Sequence, residues 1–260
     1  MPNRPDLVRC VEEAEGRWRR LVLDAPRGNL LTLEMVRALD GALDDVGRLP
    51  SLRWLTIEGS GGEFSFGAAL QEHLPAAMAT VLPATHSLQR RLLDLPVPTA
   101  ALVEGRCLGG GFELALCCDE VLANHDAVFG LPEIRVGAFP PVASLLLPLK
   151  VGAGRAVGPI LAGDLRAAAW WQEAGLVTLV ESGRSVLEAA RDWFERRLAP
   201  HSAVALGHAA WAARDVVRRQ VAEGLPGLER RYLDELLATR DAEEGVRAWL
   251  DKRPPRWEDR

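Results

Sequence analysis

Lysine is nearly missing from this sequence: Lys150 and Lys252 are the only two among 31 basic residues in a chain of 260, and the rest are arginine. The skew matches an arginine- and alanine-rich composition and carries no functional weight alone. Acidic groups outnumber basic ones, with a formal charge of −5 and a pI ≈ 5.6. No overall positive field therefore favours nucleic acid or an acidic membrane, and no basic stripe with interleaved aromatics supplies a local one. Long apolar runs are also missing. Nothing reaches the roughly 18 residues of a membrane span, and the opening MPNRPDLVRCVEEAEGRWRR lacks an apolar signal segment. Cysteine is sparse. Cys10, Cys107, Cys117 and Cys118 show no C-x-x-C spacing, and the vicinal pair cannot easily bridge. The expectation is buried reduced thiols in a cytoplasmic protein, with no zinc or other metal site.

What is present is 48% hydrophobic and 26% charged residues, enough for one large core or a core with a smaller appendage and too much for a long disordered tract. Residues 19–26 read as a short strand ended by proline. Leu33, Val36, Leu39, Leu43 and Val46 recur at helical spacing, with Thr32 placed to cap the start and Glu34 in the first turn. A strand at 53–59, a helix at 82–96 and a strand at 97–105 follow. Then come a turn into a helix at 109–119 and a strand or strand pair at 120–130. This alternation argues for α/β layers. Beyond about residue 182 the pattern is helical, so the expected organisation is a core over 1–199 and a helical region over 200–260, divided near Pro200.

Three segments could carry chemistry. In VEGRCLGGGFELALCCD (103–119) a strand enters three glycines and then an apolar helix. Such a turn lets backbone N–H groups at a helix start meet an anion or a developing oxyanion, although a plain tight turn has the same sequence. Glu113 falls in that helix's first turn. It could simply complement the helix dipole, but its apolar neighbours Phe112, Leu114, Ala115 and Leu116 favour a raised pKa. In FGLPEIRVGAFPP (129–141) Glu133 sits between Pro132 and Ile134; alone it reads as a loop residue, and with Glu113 it makes an acid/base pair. GGEFSFGAALQEHLP (61–75) offers a second glycine-hinged turn at Phe66–Gly67. His73 could assist a proton transfer or be a structural hydrogen-bonder. His86, His125, His201 and His208 show no ligand-like grouping. Trp170, Trp171, Trp193 and Trp211 lie on helical patterns and read as core or subunit contacts.

These segments, in this order, resemble the crotonase, or enoyl-CoA hydratase/isomerase, superfamily from about residue 17 to the C-terminus. The matching runs are FSFGAAL (64–70), CLGGGFELALCCDEVLA (107–123) and FGLPEIRVGAF (129–139). The resemblance implies an α/β fold, a ClpP-like spiral of β-β-α units with a C-terminal helical trimerisation region, assembled as a trimer or a dimer of trimers. It implies an acyl-CoA thioester substrate and no separate cofactor, since the CoA is part of the substrate. Carried over residue by residue, Phe66 and Gly110 supply the oxyanion hole, and Glu113 and Glu133 are the catalytic carboxyls. Arg27, Gly67, Ala68, Leu70, Gly109, Pro132, Phe139, Pro141 and Lys252 bind acyl group or CoA. Retention of both glutamates favours hydration over isomerisation or decarboxylation.

Within the superfamily, FSFGAALQEHLP (64–75), PEIRVGAFPPVASLLLP (132–148), the PRGN turn (26–29) and residues 230–258 resemble the cyclohexa-1,5-diene-1-carbonyl-CoA hydratases. Two departures from common hydratases point the same way: Ala69 stands where aspartate is frequent, and Pro141 where glycine is. Phe66 and Phe139 could form a flat wall for a ring. The competing expectations are a general enoyl-CoA hydratase or isomerase and a catalytically silent CoA-binding scaffold.

Overall fold

Residues 6–260 are described by the computed structural model, so the first five residues of the expected core lie outside it. Nine strands follow in chain order: β1 (Val8–Glu13), β2 (Trp18–Leu23), β3 (Trp54–Gly59), β4 (Thr99–Val103), β5 (Arg106–Leu108), β6 (Glu120–Ala123), β7 (Val128–Gly130), β8 (Leu165–Ala167) and β9 (Thr178–Leu179). Six of them form a sheet in the order β1-β2-β3-β4-β6-β9, parallel except for the β1–β2 hairpin. A second sheet, β5-β7-β8, branches from it; β5 and β7 are parallel. The central strand β4, TAALV, is buried along its whole length, because a parallel strand covered on two sides has no solvent face.

Helices connect the parallel strands. Leu33–Ala42 is capped by Thr32, whose hydroxyl accepts from the Met35 N–H. Pro75–Leu93 starts seven residues earlier than its sequence pattern suggests, because Pro75 is pre-set for a first helical position. Gly110–Leu116 is a short, fully buried helix between β5 and β6. On the sheet's other side, Val186–Arg197 is started by a Ser185/Glu188 capping box and stacks Phe194 on Trp18 and Trp54.

The sequence-based expectations mostly hold at element level. Strand β1, whose VRCVEE carries few apolar residues, and the separate small sheet are absent from them; the three-residue strands of that sheet leave almost no periodicity to read. Cys107, Cys117 and Cys118 are buried free thiols, whereas Cys10 is exposed. Trp171 is core, but Trp211 is half exposed.

After Pro200 the chain forms helices Ala203–Ala213, Asp215–Arg230 and Arg240–Leu250, with a π-helical turn at Arg231–Leu236. This region packs back on the same chain. Arg214 is buried, with Nε donating to Asp119 Oδ1 at 2.6 Å and its terminal nitrogens donating to the carbonyls of Leu95 (2.8 Å) and Val97 (2.7 Å). Asp215–Arg230 lies against helices Pro75–Leu93 and Pro141–Val151.

Candidate active site

The site is built where the two glycine turns are tied together. Ser65 bridges Cys107: the Ser65 N–H donates to the Arg106 carbonyl at 3.0 Å, and the Leu108 N–H donates to the Ser65 carbonyl at 2.9 Å. Gly67 (φ +88°) passes so close to this pairing that a Cβ there would lie 2.6 Å from the Leu108 carbonyl oxygen. Gly109 takes φ +50° and ψ −127°, backbone open to glycine alone, and holds its N–H on the Gly130 carbonyl at 2.9 Å.

Which amides are free follows from the pairings. The Phe66 N–H donates to the Gly28 carbonyl at 2.8 Å, so the expected assignment of Phe66 to the oxyanion hole does not hold: its proton is already engaged. Ala68 makes a parallel bridge to Leu31, and that bridge uses the Gly67 carbonyl and the Ala69 N–H. In such a pairing the residue's own N–H faces the other way. Among the described residues no acceptor meets the N–H of Ala68, nor that of Gly110, an orphan donor at the first helical position. The two converge: a Cβ built on Gly110 would sit 3.6 Å from the Ala68 nitrogen. Two free amides aimed at one spot can hold an oxyanion.

Both predicted carboxyls come to this spot. Glu113 is buried, and its Oε1 accepts from the N–H groups of Val142 (2.8 Å) and Ala143 (2.9 Å). Those donors open helix Pro141–Val151; Pro141 takes the position that needs no N–H, and the carboxyl answers the helix's positive end. Burial pushes Glu113 up to about 7, against the pull of the two amides. Glu133 follows Pro132 at the start of a 3-10 turn. It is only partly buried as a residue, yet its Oε2 is closed to solvent and has no partner among the described residues. Burial, and then the nearby charge of Glu113, raise Glu133 to about 8. Gly109 is what lets it in, since a Cβ there would come 2.8 Å from Glu133 Oε1. Near neutrality the pair therefore offers one carboxylate and one carboxylic acid.

The carboxyls and amides line one cavity of ≈ 50 Å³ with Leu31, Met78, Val81, Leu82, Phe139, Pro140, Pro141 and Tyr232. That is room for a water molecule or two.

Residues 19–260 match the sequence profile of the enoyl-CoA hydratase/isomerase family. The chain belongs to that family. It is 38% identical to a cyclohexa-1,5-dienecarbonyl-CoA hydratase of Thauera aromatica, over 95% of each chain. It is 36% identical to a 2,3-dehydroadipyl-CoA hydratase of Escherichia coli, over 87% of this chain and 88% of that one. A crystal structure of an enoyl-CoA hydratase from Mycobacterium avium subsp. paratuberculosis superposes with a TM-score of 0.84 at 28% identity, covering 97% of this chain and 99% of the other. The fold is thus the crotonase fold, and the protein is an enzyme of the hydro-lyase type acting on acyl-CoA thioesters.

For an enoyl-CoA hydratase fold the remaining predicted residues divide clearly. Phe139 and Pro141 line the cavity; Leu70 packs behind it, in the cluster with Met78 and Tyr232. Phe66 is not a cavity wall, because its ring lies under the Arg106 guanidinium at 4.0 Å and against Gly28. Arg27 and Lys252 are exposed, each with a positive φ, and neither lines the acyl cavity. His73 is buried, lines the cavity and faces the Ala69 carbonyl at 3.2 Å. Sequence reasoning missed Tyr232 and His86 as cavity residues. Tyr232 lies on the π-helical turn with no local motif, and burial with the adjacent carboxyls holds its phenol above the usual range.

Proposed function

We propose that the protein hydrates a cyclic dienoyl-CoA, of the type cyclohexa-1,5-diene-1-carbonyl-CoA, giving 6-hydroxycyclohex-1-ene-1-carbonyl-CoA. The observation that carries the chemistry is the convergence of two free amides and two carboxyls of raised pKa on one cavity. Ala68 and Gly110 grip the thioester oxygen, and their two hydrogen bonds strengthen as it gains enolate charge. Glu113, whose ionised form the two amides on its Oε1 favour against burial, takes the proton from water as the oxygen adds to the β-carbon. Glu133, the more readily protonated of the two, holds the water from the other side and is the acid from which a proton bound for the α-carbon would come.

The ring preference rests on two supports. One is the Thauera aromatica relative, matched along nearly the whole chain. The other is the lining: Phe139, Pro140, Pro141 and Tyr232 present flat, rigid surfaces. Among the described residues no arginine or lysine lines the cavity, so a terminal carboxylate such as a dehydroadipyl group carries would be buried unpaired at a cost of several kcal/mol. Turnover of the cyclic diene, crotonyl-CoA and 2,3-dehydroadipyl-CoA by one preparation tests the reading. The diene should give the highest kcat/KM; a higher value for either straight chain defeats it.

A further inference from the structure

His86 is 1% exposed, on helix Pro75–Leu93, and lines the same cavity as Glu113 and Glu133. Its Nδ1 lies 2.6 Å from Glu229 Oε2 on helix Asp215–Arg230. Its Nε2 is closed to solvent and has no partner among the described residues. A carboxylate on one ring nitrogen fixes the other. With Nδ1–H donating to Glu229, Nε2 is the atom that exchanges a proton with whatever occupies the cavity. With no protein partner among the described residues, Nε2 is left to bond whatever fills the cavity that Val81, Leu82 and Thr85 also line.

We propose that the His86–Glu229 pair is a third proton-transfer group of this site, serving the diene carbon farthest from the thioester. The inference rests on the cyclic-diene reading above. Water addition at the β-carbon of such a diene yields an extended enolate whose charge spreads to oxygen, the α-carbon and the far end of the second double bond. Protonation at that far carbon leaves the surviving double bond conjugated with the thioester. A straight-chain 2-enoyl thioester needs its proton at the α-carbon instead. The two demands are separate positions, and a further donor lining the same cavity can meet the second.

The step balances as follows. A water O–H bond breaks, its oxygen bonds to the β-carbon and its proton goes to Glu113. The Nε2–H bond of the imidazolium breaks, its proton bonds to the far carbon and the electron pair stays on Nε2. Neutral His86 keeps its Nδ1–H on Glu229. The proton on Glu113 returns to the imidazole through solvent after product leaves. In the dehydration direction the neutral ring takes the same proton. Burial lowers the His86 pKa; the hydrogen bond and charge of Glu229 oppose this, and Arg90 adds to it.

The experiment compares wild type, His86→Gln and Glu229→Gln on cyclohexa-1,5-diene-1-carbonyl-CoA and crotonyl-CoA, and follows deuterium exchange from D2O into the far ring carbon. His86→Gln should cut kcat on the diene about 100-fold, with KM little changed and crotonyl-CoA turnover falling far less. It should abolish the exchange. Glu229→Gln should lose about 10-fold in the same pattern, and it stands in if the histidine variant fails to fold. Equal losses on both substrates, or exchange at the wild-type rate, overturn the proposal. Wild type that hydrates crotonyl-CoA and ignores the diene defeats the substrate reading and this inference with it; wild type active on the diene with an unimpaired His86→Gln defeats the inference alone.

Discussion

Glu133 and Glu244 have the same side chain and are driven in opposite directions by two regions of one molecule. No arginine or lysine among the described residues lines the candidate active-site cavity, and burial with the neighbouring Glu113 raises Glu133 to about 8. In the C-terminal segment over residues 240–260, Arg253 grips Glu244 with two nitrogens at 2.6 and 2.8 Å, the Arg256 N–H adds a third bond, and the pKa falls to about 2. A chain this rich in arginine places none of its described arginines in the cavity lining. The exclusion matters because a guanidinium there would hold both carboxyls ionised and leave no acid to donate.

The sharpest way to break this comparison is to remove the cavity carboxyls. Glu113→Gln and Glu133→Gln should each lower kcat by about 10²- to 10⁴-fold while thioester affinity, measured by calorimetry with an unreactive acyl-CoA, changes only a few-fold. Parallel loss of affinity would mean that the residues hold up the pocket instead. Glutamine at 113 can still accept from Val142 and Ala143, so the fold should survive.

Arg214 tests the opposite case, a buried arginine that is welcome because carbonyls and Asp119 surround it. Arg214→Met should destabilise the protein by about 3 kcal/mol or more in urea unfolding, since Asp119 loses its partner. Little change would show that the network is not needed to fasten the helical region.

Gly109→Ala places a methyl 2.8 Å from Glu133 Oε1 on a backbone open only to glycine. A loss of about 1–3 kcal/mol in stability is expected, with a larger proportional fall in turnover than the folded fraction explains. Stability and activity falling together would argue against a specific role for that contact.

A smaller effect is the pH dependence of stability. Glu113 and Glu133 have folded-state pKa values of about 7 and about 8, above the ordinary 4.5. Between about pH 4.5 and 8 the folded state thus binds more protons than the unfolded, and the pair makes stability fall as pH rises. Glu133→Gln should therefore gain Tm relative to wild type from pH 5 to pH 8. Glu244 has the opposite sign: its contribution is present above about pH 4.5 and lost as pH falls toward 2. The smallest change is expected for Glu244→Gln at pH 7, which should leave kcat as it is and make the C-terminal segment easier to cleave by protease. A marked fall in kcat would tie that segment to the site.

Much of the site was legible because it is local. Three glycines before an apolar helix, and Glu113 one turn in, are fixed by neighbours along the chain, and Pro132 positions Glu133 within two residues. The candidate oxyanion donor was legible only to within a residue or two. Phe66 and Ala68 stand in one turn, and the choice between them depends on Gly28 and Leu31, more than 35 residues away, which consume one amide and spare the other. His86 was read as ungrouped because its partner, Glu229, is 143 residues distant.

The sequence by itself determined the family, the pair of acids, the glycine turns and the helical tail, because each is written in short-range spacing and residue type. Tertiary structure decided which amide remains free, how strongly each carboxyl holds its proton and which histidine faces the cavity. Those properties belong to no residue alone: they arise from desolvation and from hydrogen bonds closed between distant segments, and exist only once the chain has packed.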